Sequence, residues 1–180
     1  MSFYHATLNK LEIKIKTKKP YSAILYKLNS IILRYNLYIT MKNKTIFEKI
    51  VDKETPAKIV YEDNNFLAFL DIQPKVLGHT LVITKKPYKN ILEIPDEING
   101  KYMNIIKKIS NAVKKATDAD GFNLIMNNES AAGQQIFHAH MHIIPRFKND
   151  NIDMNQGTGH KKYSSEKEIE NYRKKIKENI

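Results

Sequence analysis

Three histidines at alternate positions, His138, His140 and His142, constrain this chain more than any other feature. Ala139, Met141 and Ile143 stand between and after them, so Phe137–Ile144 has a period of two. That pattern predicts a β-strand with one apolar, buried face and one face carrying three imidazoles. Pro145 cannot donate to a sheet ladder and is expected to end the strand. Gly133 and the polar run Asn127–Glu129 lie just upstream, where a loop can fold back over the histidine face.

Alternate side chains of a strand point the same way, about 6.6–7 Å apart. Three interpretations of such a face compete. A solvated polar face is the blandest, but such faces more usually mix Lys, Glu, Thr and Ser. In a zinc site two of the rings would chelate the ion, with bonds of about 2.0–2.1 Å. Binding all three is harder, because the Cα atoms of His138 and His142 would lie roughly 13 Å apart on an extended strand. The strand itself carries no Asp, Glu or Cys to complete a ligand set. The third interpretation, and the favoured one, is covalent catalysis at a phosphate. An imidazole with a pKa near the unperturbed value of about 6.5 has a neutral fraction able to attack phosphorus, while its neighbours handle protons and charge.

The rest of the chain predicts an α+β fold with an antiparallel sheet of about five strands. Residues 45–54 have Ile46, Phe47, Ile50 and Val51 spaced for one face of a short helix. Strands are expected at Ala57–Tyr61, Phe66–Leu70 and His79–Thr84. A long helix follows from Asp96, with Ile98, Tyr102, Ile105, Ile106, Ile109, Ala112, Val113 and Ala116 at helical spacing, and should end before Gly121. A fourth strand is expected at Phe122–Asn127, then the loop 128–136 and the histidine strand. Ser165 and Glu168 have capping-box spacing and open a C-terminal helix after the Asn-, Asp- and Gly-rich stretch Lys148–His160. The organisation is therefore an extension over 1–44, a central domain over 45–147, and a loop and helix over 148–180.

The net charge of +11 suggests nucleic acid, but its distribution does not. Residues 1–44 hold nine of the 30 Lys and Arg and, of the 19 acids, only Glu12, so about +8 of the charge sits there. No nucleic-acid partner and no membrane span are expected, since no apolar run is long enough to cross a bilayer. Tyr21–Thr40 has the pattern of an amphipathic helix, with Ile24, Leu28, Ile31, Ile32 and Tyr35 near one face. The extension is read as an organellar targeting segment or as a non-native start, with translation beginning at Met41. Cysteine is absent, which removes disulfides and fits a reducing, cytoplasmic compartment. His5 and His160 belong to no motif.

The run His138-Ala139-His140-Met141-His142-Ile143-Ile144 resembles the signature of the histidine triad (HIT) proteins, His-φ-His-φ-His-φ-φ with φ apolar. The resemblance extends from about Thr45 to Arg146. It takes in Ile46-Phe47-Glu48-Lys49-Ile50, Phe69-Leu70-Asp71-Ile72-Gln73-Pro74, Gly78-His79-Thr80-Leu81-Val82-Ile83 and Ala131-Ala132-Gly133-Gln134. The chain looks most like the Hint-type and bacterial branches.

The resemblance implies hydrolysis or transfer at the α-phosphate of a purine nucleotide conjugate, either an adenosine phosphoramidate or a dinucleoside polyphosphate. The alternative is a purine-nucleotide-binding regulatory protein with little turnover. His140 would be the nucleophile, His142 would contact the phosphate or departing group, and His138 would support the orientation of His140. Asp71 matches the residue that holds the ribose hydroxyls. Phe47, Ile50, Phe69 and Ile72 match the base pocket, although each alone is more often core. Asn127, Gly133, Gln134 and Gln135 match positions near the phosphate or ribose, and His79 matches a supporting histidine. No cofactor and no metal are implied, and relatives are usually homodimers. Four departures stand out. Glu129 replaces a frequent Gly, Gln135 replaces Ser or Thr, Thr45 and Glu48 replace a Cys-x-x-Cys pair, and the C-terminal tail lacks a Trp.

Overall fold

The computed structural model describes residues 26, 28–34, 44–152 and 161–180. The chain divides into two units, Met1–Lys44 and Thr45–Ile180. In the first, Tyr26 and residues 28–34 are helical; the remainder of the helix expected over Tyr21–Thr40 lies outside the described residues, as do His5 and His160.

In the second unit the elements are α1 (Ile46–Val51), β1 (Ile59–Glu62), β2 (Phe66–Leu70), β3 (Thr80–Thr84), α2 (Asp96–Thr117), β4 (Gly121–Ile125), β5 (His140–Arg146) and α3 (Glu166–Glu178). The strands form one five-stranded antiparallel sheet in the order β1-β2-β3-β5-β4. The fold is thus α+β, as the sequence predicts. Both faces are covered at the central strands β2 (FLAFL) and β3 (TLVIT), which are buried throughout and polar only at Thr80 and Thr84. Phe66, Ala68, Leu70, Val82 and Ile143 pack under α2 and α3. Leu67, Phe69, Leu81 and Ile83 pack under α1 through Phe47 and Ile50. Tyr102 locks α2 to the sheet by stacking on Phe66 and donating its hydroxyl to Val82 O at 2.6 Å. None of the described helices is long and apolar enough to cross a membrane.

Register decides what the histidines face. His140 lies opposite Ile83 and His142 opposite Leu81, so both rings stand on the α1 face. Met141 and Ile143, opposite Val82 and Thr80, face α2. The strand differs from its predicted limits at both ends. It begins at His140, because Ala139 turns its N–H to Tyr88 O at 2.6 Å and takes His138 off the ladder. It runs on through Pro145, which pairs opposite Phe122 of β4 after the pairing with β3 has ended at Ile143. Where one neighbour has dropped away, a residue without an N–H costs the ladder nothing.

α1 is held by a full capping box. The Thr45 hydroxyl accepts from Glu48 N at 3.1 Å, and the Glu48 carboxylate accepts from Thr45 N at 2.8 Å. At α3 the Ser165 hydroxyl caps Glu168 N, while the Glu168 carboxylate takes the N–H of Ser164 instead of Ser165. Ile169 and Ile176 carry α3 into the same core as α2.

Candidate active site

His138, His140, His142 and His79 converge beneath α1. Phe47 is the hub, with its ring edge-on to His140 at 5.0 Å, to His138 at 5.8 Å and to Phe69 at 5.7 Å. The His140 and His142 rings are 4.9 Å apart, and those of His142 and His79 5.1 Å. His79, His138 and His140 are buried.

Their partners assign the protons. A carbonyl oxygen only accepts, so the ring nitrogen facing one carries hydrogen. His140 Nδ1 donates to His138 O at 2.7 Å, which leaves a lone pair on His140 Nε2. His138 Nε2 donates to Thr84 O at 2.7 Å, and its Nδ1 faces the Thr45 hydroxyl at 3.5 Å. The helix cap therefore also touches the histidine cluster. It is the backbone carbonyl of His138, not its ring, that meets His140. His79 Nδ1 lies 3.3 Å from Lys75 N and 3.4 Å from Asp71 Oδ2, and its Nε2 shares one hydrogen with His142 Nδ1 across 3.0 Å.

Burial holds all three triad rings below the ordinary imidazole range, because charged imidazolium is poorly solvated there. His142 falls to about 3, through burial first and then the neighbouring His79 and His140. The rings are thus neutral near pH 7. A group whose folded pKa lies below its unfolded value contributes stability that is full above the unfolded value and lost as pH falls towards the folded one. Stability should therefore drop between about pH 6.5 and 5. All three rings act in this direction, with His142 contributing over the widest pH range. Urea midpoints at pH 7.5 and 5 measure this, and equal midpoints would contradict neutral burial.

Asp71 serves the turn after β2. Its Oδ1 accepts from Gln73 N at 2.8 Å, its N–H donates to His79 O at 2.9 Å, and its Oδ2 lies 3.4 Å from His79 Nδ1. Phe47, Ile50 and Phe69 are buried together in the α1 cluster, whereas Ile72 is 76% exposed. Of these four, Ile72 alone has a side chain largely open to a ligand. It also forms a wall of an open groove of about 660 Å³ with Lys161, Tyr163 and Ile169, a groove that none of the histidines lines.

The loop between β4 and β5 is knit internally. Gly133 is left-handed at φ 83°, and its N–H donates to Ser130 O at 3.0 Å. An added Cβ there would meet nothing closer than Asn127 Nδ2 at 3.7 Å, so the backbone angle, not crowding, calls for glycine. Gln134 is buried; its N–H donates to Glu129 O at 3.1 Å, and its side chain accepts from Glu129 N at 2.7 Å and donates to Lys89 O at 2.6 Å. Gln135 is exposed, and its N–H takes no part in these bonds. Asn127 reaches Gly133 O at 3.5 Å. Glu129 sits at φ 70°, ψ 160°, a conformation almost confined to glycine and costing other residues about 1–3 kcal/mol.

Asp71, His79 and His142 each offer one ligand atom within 4.8 Å of the others. Among the described residues they are the one group of three that could hold a metal ion. The hydrogen bond between His79 and His142 satisfies both rings without one.

Comparison with known proteins agrees with this arrangement. Residues 52–149, more than half of the chain, match the sequence profile of the HIT domain. An uncharacterised HIT-like protein of Borreliella burgdorferi is 46% identical over 114 residues, covering 62% of this chain and 82% of that protein. The Arabidopsis thaliana adenylylsulfatase HINT3 is 44% identical over 111 residues, covering 62% of this chain and 56% of that protein. The crystal structure of a hypothetical histidine triad nucleotide-binding protein from Sulfolobus tokodaii superposes with a TM-score of 0.67 at 38% identity, covering 74% of this chain and 90% of that one. With its three histidines gathered under a short helix on an antiparallel sheet, the chain belongs to the HIT family.

Proposed function

We propose that the protein cleaves adenosine phosphoramidates or dinucleoside polyphosphates at the α-phosphate through a nucleotidyl-histidine intermediate. The observation that carries this is the hydrogen bond from His140 Nδ1 to His138 O, which leaves His140 Nε2 unprotonated in a ring that burial keeps neutral. In the first step Nε2 bonds to phosphorus and the bond to the leaving group breaks. In the second, water attacks phosphorus and the bond to Nε2 breaks, releasing the nucleoside monophosphate. The His142 ring stabilises charge that develops on the phosphoryl oxygens or the departing atom. The Asp71 carboxylate holds the ribose hydroxyls, and the base lies against Ile72 at the edge of the cluster of Phe47, Ile50 and Phe69. Asn127, Gly133, Gln134 and Gln135 form the phosphate loop, in which Gln134 acts mainly by bracing it.

We also infer a homodimer. β4 is an edge strand whose Phe122 and Leu124 are exposed, and Met103 of α2 is exposed as well. Bare apolar side chains on an unpaired edge suit side-by-side sheet pairing with a second copy. Sedimentation at micromolar concentration reads this directly, and a monomer there would exclude it.

The test of the activity is a turnover panel of adenosine 5′-phosphoramidate, diadenosine polyphosphates and, because one relative is an adenylylsulfatase, adenylyl sulfate. AMP release from at least one of the first two classes is expected. AMP binding without release from any member would favour a nucleotide-binding regulator, and release from adenylyl sulfate alone would move the substrate class.

A further inference from the structure

The segment Tyr88–Ile91 and the loop Asn128–Ala139 are joined by a continuous seam. Ala139 N donates to Tyr88 O, Gln134 Nε2 to Lys89 O, and Ile91 N to Asn128 Oδ1 at 3.0 Å. Glu129 closes its far end. Its carboxylate takes Lys89 Nζ at 2.8 Å and Asn90 Nδ2 at 2.6 Å. Its backbone N–H goes to Gln134 Oε1, and its carbonyl receives the N–H groups of both Ala132 and Gln134. No other residue of this loop is bound at so many points. The near end of the seam stops one residue before His140. Lys89 also lies over the Phe137 ring at 5.4 Å, which ties the cation to the same loop.

A residue other than glycine in this backbone conformation persists only where its surroundings over-determine it. The sequence departs from the frequent glycine at this position, and the departure comes with a lysine and an asparagine that grip the new carboxylate. We propose that Glu129 is a positioning residue. Anchored by Lys89 and Asn90, it sets the shape of the loop that precedes the nucleophile, so that Gln135 and the backbone around it meet the phosphoryl group in register. This rests on the proposed phosphoryl chemistry for its kinetic consequence, but not for its structural one.

Four variants separate the anchor from the backbone shape: Glu129→Ala keeps the strain and loses the anchor; Glu129→Gly loses both; Glu129→Gln keeps an acceptor for Lys89 and Asn90; and Lys89→Ala removes the charged partner. With adenosine 5′-phosphoramidate, Glu129→Ala and Glu129→Gly should each lower kcat by about 10-fold with KM changed by less than about 3-fold, since orientation at the reacting atom is lost. Lys89→Ala should lie between them and the wild type, and Glu129→Gln should recover to within about 3-fold. Hydrogen exchange at residues 130–136 should quicken about 10-fold in Glu129→Ala and not in Glu129→Gln, because exposed backbone bonds open locally without global unfolding. Wild-type kcat in Glu129→Ala, or full recovery in Glu129→Gly, would overturn the anchor. Unchanged exchange would overturn it too, and that measurement holds even if the wild type turns over no nucleotide.

Discussion

The variants His140→Ala and His140→Gly are expected to release AMP at least roughly 10³-fold more slowly than the wild type, a transition-state loss of about 4 kcal/mol. A hydrogen-bonding contact alone would cost far less. The size of the expected loss follows from removing the atom that makes the covalent bond, with no other base placed to replace it. The Nε2 of His138 is engaged by Thr84 O, and the Nδ1 of His142 by His79 Nε2. AMP affinity should change by less than about 10-fold, since the proposed ribose and base contacts lie on Asp71 and Ile72. Substitution leaves His138 O without its donor in a buried setting, which costs about 1–3 kcal/mol of stability. The thermal midpoint must therefore be measured beside the rate. A wild-type sample quenched during turnover should carry one adenylyl group on His140, detectable by mass spectrometry, and the variants should carry none. Because burial depresses the His140 pKa, wild-type turnover should stay level as pH falls through about 6.5 and decline only below it. A His140→Ala variant that turns over at the wild-type rate would eliminate the covalent mechanism.

The period-two pattern of the histidine segment was enough to place His140 and His142 on one face, because residue alternation in a strand is local geometry. Local patterns likewise mark β2 and β3 as strands and, by helical spacing, α2 as a helix, while the burial of β2 and β3 on both faces is seen only in the fold. Such patterns could not place His138. That residue leaves the strand because Ala139 bonds to Tyr88, about 50 positions earlier in the chain, and no local pattern encodes such a partner. Thr45-x-x-Glu48 does carry a capping-box signature, but beside relatives with Cys-x-x-Cys it looks only like a lost metal site. In the structure it starts α1 and brings a hydroxyl to His138. Glu129 shows the opposite case. The departure from glycine is visible in sequence, while the compensation from Lys89 and Asn90 is tertiary. Gln134 likewise resembles a ligand-binding position, yet its side chain is committed to Glu129, Lys89 and Ile136.

Gly78→Ala is expected to be the most disruptive single-methyl change in the described part of the chain. Gly78 has φ +91°, and a Cβ there would lie 2.6 Å from Thr117 Cγ2. Thr117 cannot swing aside cheaply, because its hydroxyl donates to Val113 O at 2.8 Å at the end of α2. Gly78 N also donates to the Tyr163 hydroxyl, and its carbonyl receives the Thr80 hydroxyl, so the backbone is held from both sides. The left-handed angle costs about 1–2 kcal/mol for an L side chain, and the overlap adds about 1–3 kcal/mol. A loss of about 3 kcal/mol should lower the thermal midpoint by roughly 10 °C in a chain of this size. Gly100→Ala is the control with the opposite sign. Gly100 lies within α2 with nothing within 4 Å of a built Cβ, so alanine there should stabilise by about 0.5–1 kcal/mol. Activity should fall further in Gly78→Ala than the unfolded fraction explains. The glycine adjoins His79, whose ring is hydrogen-bonded to His142 and whose carbonyl holds the N–H of Asp71. If Gly78→Ala melted with the wild type, the turn would be more compliant than its contacts indicate. If it melted lower but kept wild-type kcat in the folded fraction, His79 would not be governing His142.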